Sequence, residues 1–479
     1  MNTEPFDSPS EPASPPGLLS APSSGVREIL WLAFPIILGM ASSTLMGFVD
    51  FLMISRVGVG PAAAAGPAGI LVFTFISFFS GILSCTNTFV AQSFAKQDFG
   101  ECSRYVWQGL YIALLAGVAG LLLWPAAPAL FALLPHEPNV RALETVYFQS
   151  RLLSVWSMTA VISMTGFFQG IGRPRLPMIV AVAANVLNAL LNWVFIFGHL
   201  GSPVMGIFGS GLATAFAGAF QVAVLVGLFL SGEYARTYRS RRLWRLDRTR
   251  MTQLFRIGWP AGVSFTLDIG TWGIFVTVII GSFGETALAA SNMAMQFLPL
   301  SFMPTVGLGV AATILVGQNI GRRDLLTARA RGTTAILLGI AYMCFMGVLF
   351  FLFREPLIRL FLGHPATSQE AATNASIVAL GARILILAAL FQAFDAMGIV
   401  TASALKGAGD TRFPAVITVI FALALFLPLC WVFTSFWDWG VVGAWGAASL
   451  YIAALGVTLV LRWRSRAWES IDIFAKPVE

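Results

Sequence analysis

VAQSFAKQD at residues 90–98 and VGQNIGRRD at 316–324 are one stretch written twice. Val90, Gln92 and Asp98 return 226 positions later as Val316, Gln318 and Asp324. A second pair keeps nearly the same spacing. In QGIGRPRLP (169–177) and KGAGDTRFP (406–414), Gly170, Gly172, Arg175 and Pro177 return 237 positions later as Gly407, Gly409, Arg412 and Pro414. The register also holds away from these motifs: Pro35 matches Pro260 at 225, and Gly206, Gly209 and Ala213 match Gly440, Gly443 and Ala447 at 234. A duplicated half decides the architecture, because two copies of one bundle around a shared path is one of the ways secondary transporters are built.

The copies lie in membrane-grade sequence. Of 479 residues, 57% are hydrophobic and only 11% charged, and the mean hydropathy is +0.81. Too few polar residues remain to cover a soluble domain. A spanning helix needs about 20 apolar residues. Runs of that kind lie near 28–54, 66–95, 105–134, 143–169, 176–198, 207–231, 252–281, 286–320, 327–353, 375–405, 412–437 and 440–462. The expected fold is an all-α polytopic membrane protein, with twelve transmembrane helices in two six-helix lobes. Odd-numbered spans map onto odd-numbered spans, so both lobes enter the bilayer in one direction, and the pseudo-twofold axis runs along the membrane normal.

Charge sets the expected orientation. With the amino terminus inside, all Lys and Arg residues except Arg56, Arg141, Arg151, Arg354, Arg359 and Arg383 fall on inside segments. That asymmetry is the positive-inside pattern and places both termini in the cytoplasm of a cell (inner) membrane protein. The formal net charge of +7 then belongs beside anionic headgroups rather than nucleic acid. Residues 1–26, rich in Pro and Ser and without a basic start followed by an apolar run, read as a disordered cytoplasmic tail rather than a signal peptide. An amino lobe at 27–231, a basic cytoplasmic linker at 232–250, a carboxyl lobe at 251–464 and a cytoplasmic tail at 465–479 complete the division. RTYRSRRLWRLDRTR (236–250) reads as a tether. Cys85, Cys102, Cys344 and Cys430 are too scattered for a disulfide framework or a zinc site, and no cofactor is expected.

Duplication supplies an internal control: groups the shared fold requires occur in both copies, whereas groups serving one site need occur in only one. The glycines and prolines repeat. The ionisable residues inside spans do not. Asp50 of span 1 aligns with Phe275, Asp268 of span 7 with Ser43, and Asp395 of span 10 with Met158. An ionised side chain there costs about 2.5 to 3.5 kcal/mol on insertion scales, so binding a proton or a sodium ion relieves a real penalty. Asn185, Asn188 and Asn192 of span 5 share one helix face, and Asn188 and Asn192 align with Leu425 and Leu429. Thr214 of span 6 aligns with Ala448. Asp50, Asn188, Asn192 and Thr214 offer one carboxylate and several neutral oxygens, suited to Na+ or to a hydrogen-bonded proton on the acid. Plainer roles compete: interhelical hydrogen bonds for the asparagines, pairing with an arginine or backbone for the acids, and a bond to its own preceding turn for Thr214. Phe391, Gln392, Met293 and Met295, near the acids in sequence, are weaker candidates to line a cavity for flat apolar cations. His136, His199 and His364 fall in outside loops and read as ordinary loop residues.

At these residues the chain resembles the multidrug and toxic compound extrusion (MATE) family, within it the NorM-like branch, over about residues 28 to 462. Pro35 followed by GFVD with its acid at 50, Pro260 followed by Asp268, Asp395 followed by Gly407, and the two duplicated motifs carry the resemblance. It implies a multidrug efflux antiporter, a monomer that exports small organic, mostly cationic compounds in exchange for H+ or Na+ through a V-shaped cleft. It also implies an amino-lobe cation site at Asp50, Asn188, Asn192 and Thr214, and carboxyl-lobe acids at Asp268 and Asp395. Two positions depart from the family pattern. Many NorM-like members carry glutamate where Asp268 stands, and archaeal and DinF-like members carry aspartate where Asn192 stands. A flippase for lipid-linked sugars, the nearest alternative, needs a basic groove. Here no lysine or arginine is expected mid-span, only Arg151 and Arg383 near outer ends. A polytopic membrane enzyme would need an acidic or His-rich loop, and the outside loops show none.

Overall fold

The computed structural model describes residues 25–133, 136–362 and 367–475. His364 and nearly all of the amino-terminal tail lie outside the described residues. Helices account for the spans, and there is no strand among the described residues. The spans are α1 (Gly25–Ser55), α2 (Val59–Ala95), α3 (Phe99–Leu122), α4 in two pieces (Pro138–Leu152 and Val155–Gly170), α5 (Arg175–Phe197) and α6 (Gly206–Phe229). The second half repeats them as α7 (Arg248–Phe283), α8 (Glu285–Gly321), α9 (Leu325–Leu352), α10 (Ser368–Ala408), α11 (Arg412–Phe436) and α12 (Gly440–Arg464). Two expectations need adjusting. Span 3 ends at Leu122, and its remainder forms a separate short helix, Ala127–Ala132. Span 4 is bent by 41° at residues 153–154. Among the described residues there are eleven helices long and apolar enough to cross a membrane without that bent pair, and twelve with it.

The duplicated motifs now have physical jobs. Asp98 caps α3 by accepting from the Glu101 backbone N–H at 3.3 Å, and Asp324 caps α9 by accepting from that of Thr327 at 2.9 Å. The Thr327 side chain and backbone N–H hold the Asp324 carboxyl below its ordinary pKa. The turn residues Gln97 and Arg323, again 226 apart, both adopt a left-handed φ near 60°. Gly172 and Gly409 sit at φ 77° and 90°, where a side chain would strain the backbone. Pro35 and Pro260 lie inside α1 and α7, each removing one helical hydrogen bond near the start of its half.

The glutamines of the first motif tie the halves together through the second. Gln92 of the first half donates to the Gly407 carbonyl of the second at 3.0 Å, and Gln318 of the second donates to the Gly170 carbonyl of the first at 2.9 Å. The pair is reciprocal, as a twofold requires. Deeper in the bilayer α2 packs on α7 and α8 packs on α1. Ser77 Oγ lies 3.0 Å from Thr266 Oγ1, and Thr44 Oγ1 donates to Met303 Sδ at 3.0 Å. These contacts join the halves at the end carrying the basic loops. The last residues reinforce that end: Trp468 stacks on Trp463, and Phe474 reaches the first half, edge-on to Phe89 and accepting from Gln253. Gln92→Leu and Gln318→Leu are each expected to weaken the joint by about 1 kcal/mol. Because Gln92 is fully buried and Gln318 half-buried, the Gln92 variant should show the larger drop in melting temperature, read by differential scanning fluorimetry.

Candidate cation and substrate sites

Four helices bring one polar centre together in the first half. The bend of α4 delivers Arg151, α1 delivers Asp50, adjacent turns of α5 deliver Asn188 and Asn192, and α6 delivers Thr214. Asp50 is 6% exposed, and both asparagines are fully buried. Asn192 Nδ2 donates to Asp50 Oδ1 at 2.5 Å and to Asn188 Oδ1 at 3.0 Å. Asn188 Nδ2 in turn donates to Thr214 Oγ1 at 3.5 Å. The candidates Asp50, Asn188, Asn192 and Thr214 therefore form one connected chain. Asn185 shares their helix face about one turn before Asn188 but is not part of this chain, donating instead to Ser42 Oγ at 2.6 Å.

Arg151 was expected near an outer end. It stands in the last turn of the Pro138–Leu152 piece, its Nη1 donates to Thr214 Oγ1 at 2.9 Å, and its charge reaches Asp50. A long arginine stem lets a residue at a helix end project its charge inward. The subtraction that found Asp50 also marks this residue, because Arg151 aligns with Ala388. Among the described residues, Asn192 Oδ1 is a buried acceptor with no partner. Two chemistries fit the arrangement. Asp50 can hold a proton while bonded to Asn192, or its carboxylate, with the free Asn192 oxygen, can face a small cation. The guanidinium on Thr214 takes up one of the oxygens a sodium ion would need and adds a fixed positive charge.

A second centre lies in the other half. Asp395 of α10 lies within electrostatic reach of Asp268 of α7, and the Tyr451 ring of α12 within reach of both. Neither carboxylate has a hydrogen-bond donor or counter-ion among the described residues. Two acids in apolar surroundings without a cation between them form a place for one, since mutual repulsion and desolvation both favour binding a positive group. Tyr451 was not foreseen, although it too breaks the repeat, standing where the first half has Ala217. Gln392 lies one turn from Asp395, donates to Ser301 Oγ at 3.1 Å and has no partner for Oε1 among the described residues. Met293, Met295 and Phe391 belong to the packed core of this half. Of the histidines expected in outside loops, His136 contacts Glu144 at 2.8 Å and His199 stacks on Trp193.

A second basic side chain also reaches inward from a helix end, in the last turn of α10. Lys406, assigned from sequence to the basic end, directs its Nζ into a cavity between the halves, 3.5 Å from Ser84 Oγ.

Two six-helix halves with a buried, asymmetric polar centre in each define a secondary-transporter architecture rather than an enzyme. A profile of the MatE family matches residues 35–194 and 260–432, two segments that begin at the equivalent prolines. The chain belongs to the MatE family of transporters. It is 30% identical over 447 residues to a protein of Mesorhizobium japonicum named probable multidrug resistance protein NorM, covering 92% of this chain and 94% of that one. A protein of the same name from Bradyrhizobium diazoefficiens is 31% identical over 458 residues, covering 94% and 97%. Among solved structures, an outward-facing multidrug resistance MATE transporter of the MOP superfamily superposes with a TM-score of 0.82 at 19% identity, over 94% of this chain and 98% of that one. A mutant of the Vibrio cholerae MATE transporter VcmN also gives 0.82 at 19% identity, over 94% and 99%. These superpositions confirm the fold expected from the repeat.

Proposed function

We propose that this protein is a multidrug efflux antiporter of the inner membrane, exporting small organic, mostly cationic compounds in exchange for protons by alternating access. Both termini and the 232–250 linker are cytoplasmic in this reading, the lobes are residues 27–231 and 251–464, and the unit is a monomer. The names carried by its relatives support drug efflux over the flippase alternative. The observation that carries the coupling is the placement of Asp50, a single buried carboxylate bonded to Asn192, with Arg151 supplying the neighbouring positive charge. Arg151 opposes any added positive charge at Asp50, but a proton needs only one carboxylate oxygen, whereas a sodium ion needs several, and Thr214 Oγ1 already accepts from Arg151 and Asn188. Asp268 and Asp395 bind the organic cation, and the halves, joined at the basic end, open to the other side.

Exchange requires that loading one ion disfavours holding the other, since a ligand shifts the equilibrium only by its differential affinity for the two states. Proteoliposomes loaded with a fluorescent organic cation test the reading when pH and sodium gradients are imposed separately. A proton gradient alone should drive release. The free Asn192 oxygen favours one specific alternative, sodium coupling, and release driven by sodium alone would establish it. Release indifferent to both gradients would overturn antiport.

A further inference from the structure

Lys406 is a cation the efflux reading does not use. It stands at the position that Gln169 holds in the other copy, so the shared fold does not require its charge. Its backbone carbonyl accepts from Thr88 Oγ1 at 3.0 Å, which pins this end of α10 to the first half. Its ammonium projects into a cavity of about 600 Å³, where Ser84 Oγ at 3.5 Å is its only hydrogen-bond partner among the described residues. No carboxylate among the described residues pairs with it. Among the described residues the titratable neighbour that bears on it is the Cys85 thiol, which is buried and carries no charge. Gln169 lines the same cavity, its Oε1 accepting from Asn87 Nδ2 at 3.3 Å, which leaves the Gln169 amide N–H groups free to donate. The remaining walls are largely apolar, with Pro35, Ile36, Ile162 and Met178 among them. A few convergent donors in an otherwise apolar cavity of several hundred Å³ is the ordinary composition of a small-molecule site.

We propose that this cavity is a carboxylate subsite, in which Lys406 and Gln169 hold the anionic group of an amphiphilic organic acid or zwitterion while the apolar walls hold its body. An ammonium in an apolar enclosure lacks compensation unless an anion accompanies it, and the donors point where that anion fits. A monoanion matches the single charge. The route by which such a compound reaches the cavity rests on the efflux reading, but the subsite itself is an equilibrium binding property and needs no gradient.

Fluorescence titration of the purified full chain with 2-naphthoate and its neutral analogue 2-naphthamide provides the test. Native protein should prefer the naphthoate by about ten- to a hundredfold, the worth of one charge-assisted hydrogen bond. Lys406→Gln, which installs the residue of the other copy, should abolish that preference and leave naphthamide affinity intact, whereas Lys406→Arg should retain it. Equal binding of the two probes by native protein, or a preference that survives Lys406→Gln, overturns the proposal. Should Lys406→Gln fail to fold, Gln169→Met decides, because loss of the second donor must reduce the preference several-fold. A native preference for naphthoate in a protein that shows no organic-cation efflux would overturn the efflux reading and leave the subsite standing.

Discussion

Asp50→Asn is expected to reduce gradient-driven efflux to the level of empty liposomes while the protein still inserts and purifies as a single species. The substitution keeps the shape of the side chain and a hydrogen bond to Asn192, but removes the only acid in the first-half centre. Without a group that alternates between charged and neutral, neither proton binding nor cation binding can favour one conformation over the other, and coupling requires that difference. Folding should survive because burying an ionised carboxylate is itself costly, and an amide of equal volume does not carry that cost. Arg151 loses its neighbouring charge in this variant, so a modest fall in melting temperature is expected, which Asp50→Asn/Arg151→Gln should partly restore. Normal efflux from Asp50→Asn, measured beside an unchanged elution profile, would refute the assignment.

Legibility followed the number of backbone tasks a residue performs. Gln92, Asp98, Gly172 and their copies cross-link halves, cap helices and turn the chain, so their types and spacing are constrained twice over, and the repeat is visible in sequence. The acids and asparagines were legible by subtraction, and their convergence follows once α1, α5 and α6 of one half lie side by side. Arg151 and Lys406 were not, because orientation rules assign basic residues by the position of their Cα atoms, whereas the functional end of a long side chain lies several ångströms away. Tyr451 hid among many aromatic residues whose packing role is far more frequent. The bend in α4 has no proline at residues 153–154 to announce it.

The repeat also generates a discriminating expectation where its two copies meet. Gly81 of α2 faces Gly262 of α7, and its equivalent Gly307 of α8 faces Ile37 of α1. A methyl group added at Gly81 would lie 2.5 Å from the Gly262 backbone and 2.6 Å from the Ala261 carbonyl. One added at Gly307 would meet the Ile37 side chain, its nearest atom at 2.4 Å. Backbone cannot rotate away, whereas Ile37 Cγ1 can move with a change of rotamer, at the smaller cost a β-branched side chain in a helix incurs. Gly258 and Gly262 lie four apart on α7, and side chains at either would strike the backbone carbonyls of Ile82 and Phe78, so this joint consists of small residues on both helices. Gly81→Val should therefore push α2 off α7, at about 1–3 kcal/mol or more, and favour states in which the basic end is open. Efflux should fall at least about tenfold, the equivalent of 1.4 kcal/mol. Cys85, fully buried one turn away and 3.9 Å from the Ile257 carbonyl, reports the opening directly. In a Cys344→Ser background, which removes the exposed thiol, Gly81→Val should accelerate maleimide labelling of Cys85, while Gly307→Ala should leave labelling and efflux within about twofold of the parent. Equal effects at the two positions would show that the halves do not close through the α2–α7 contact.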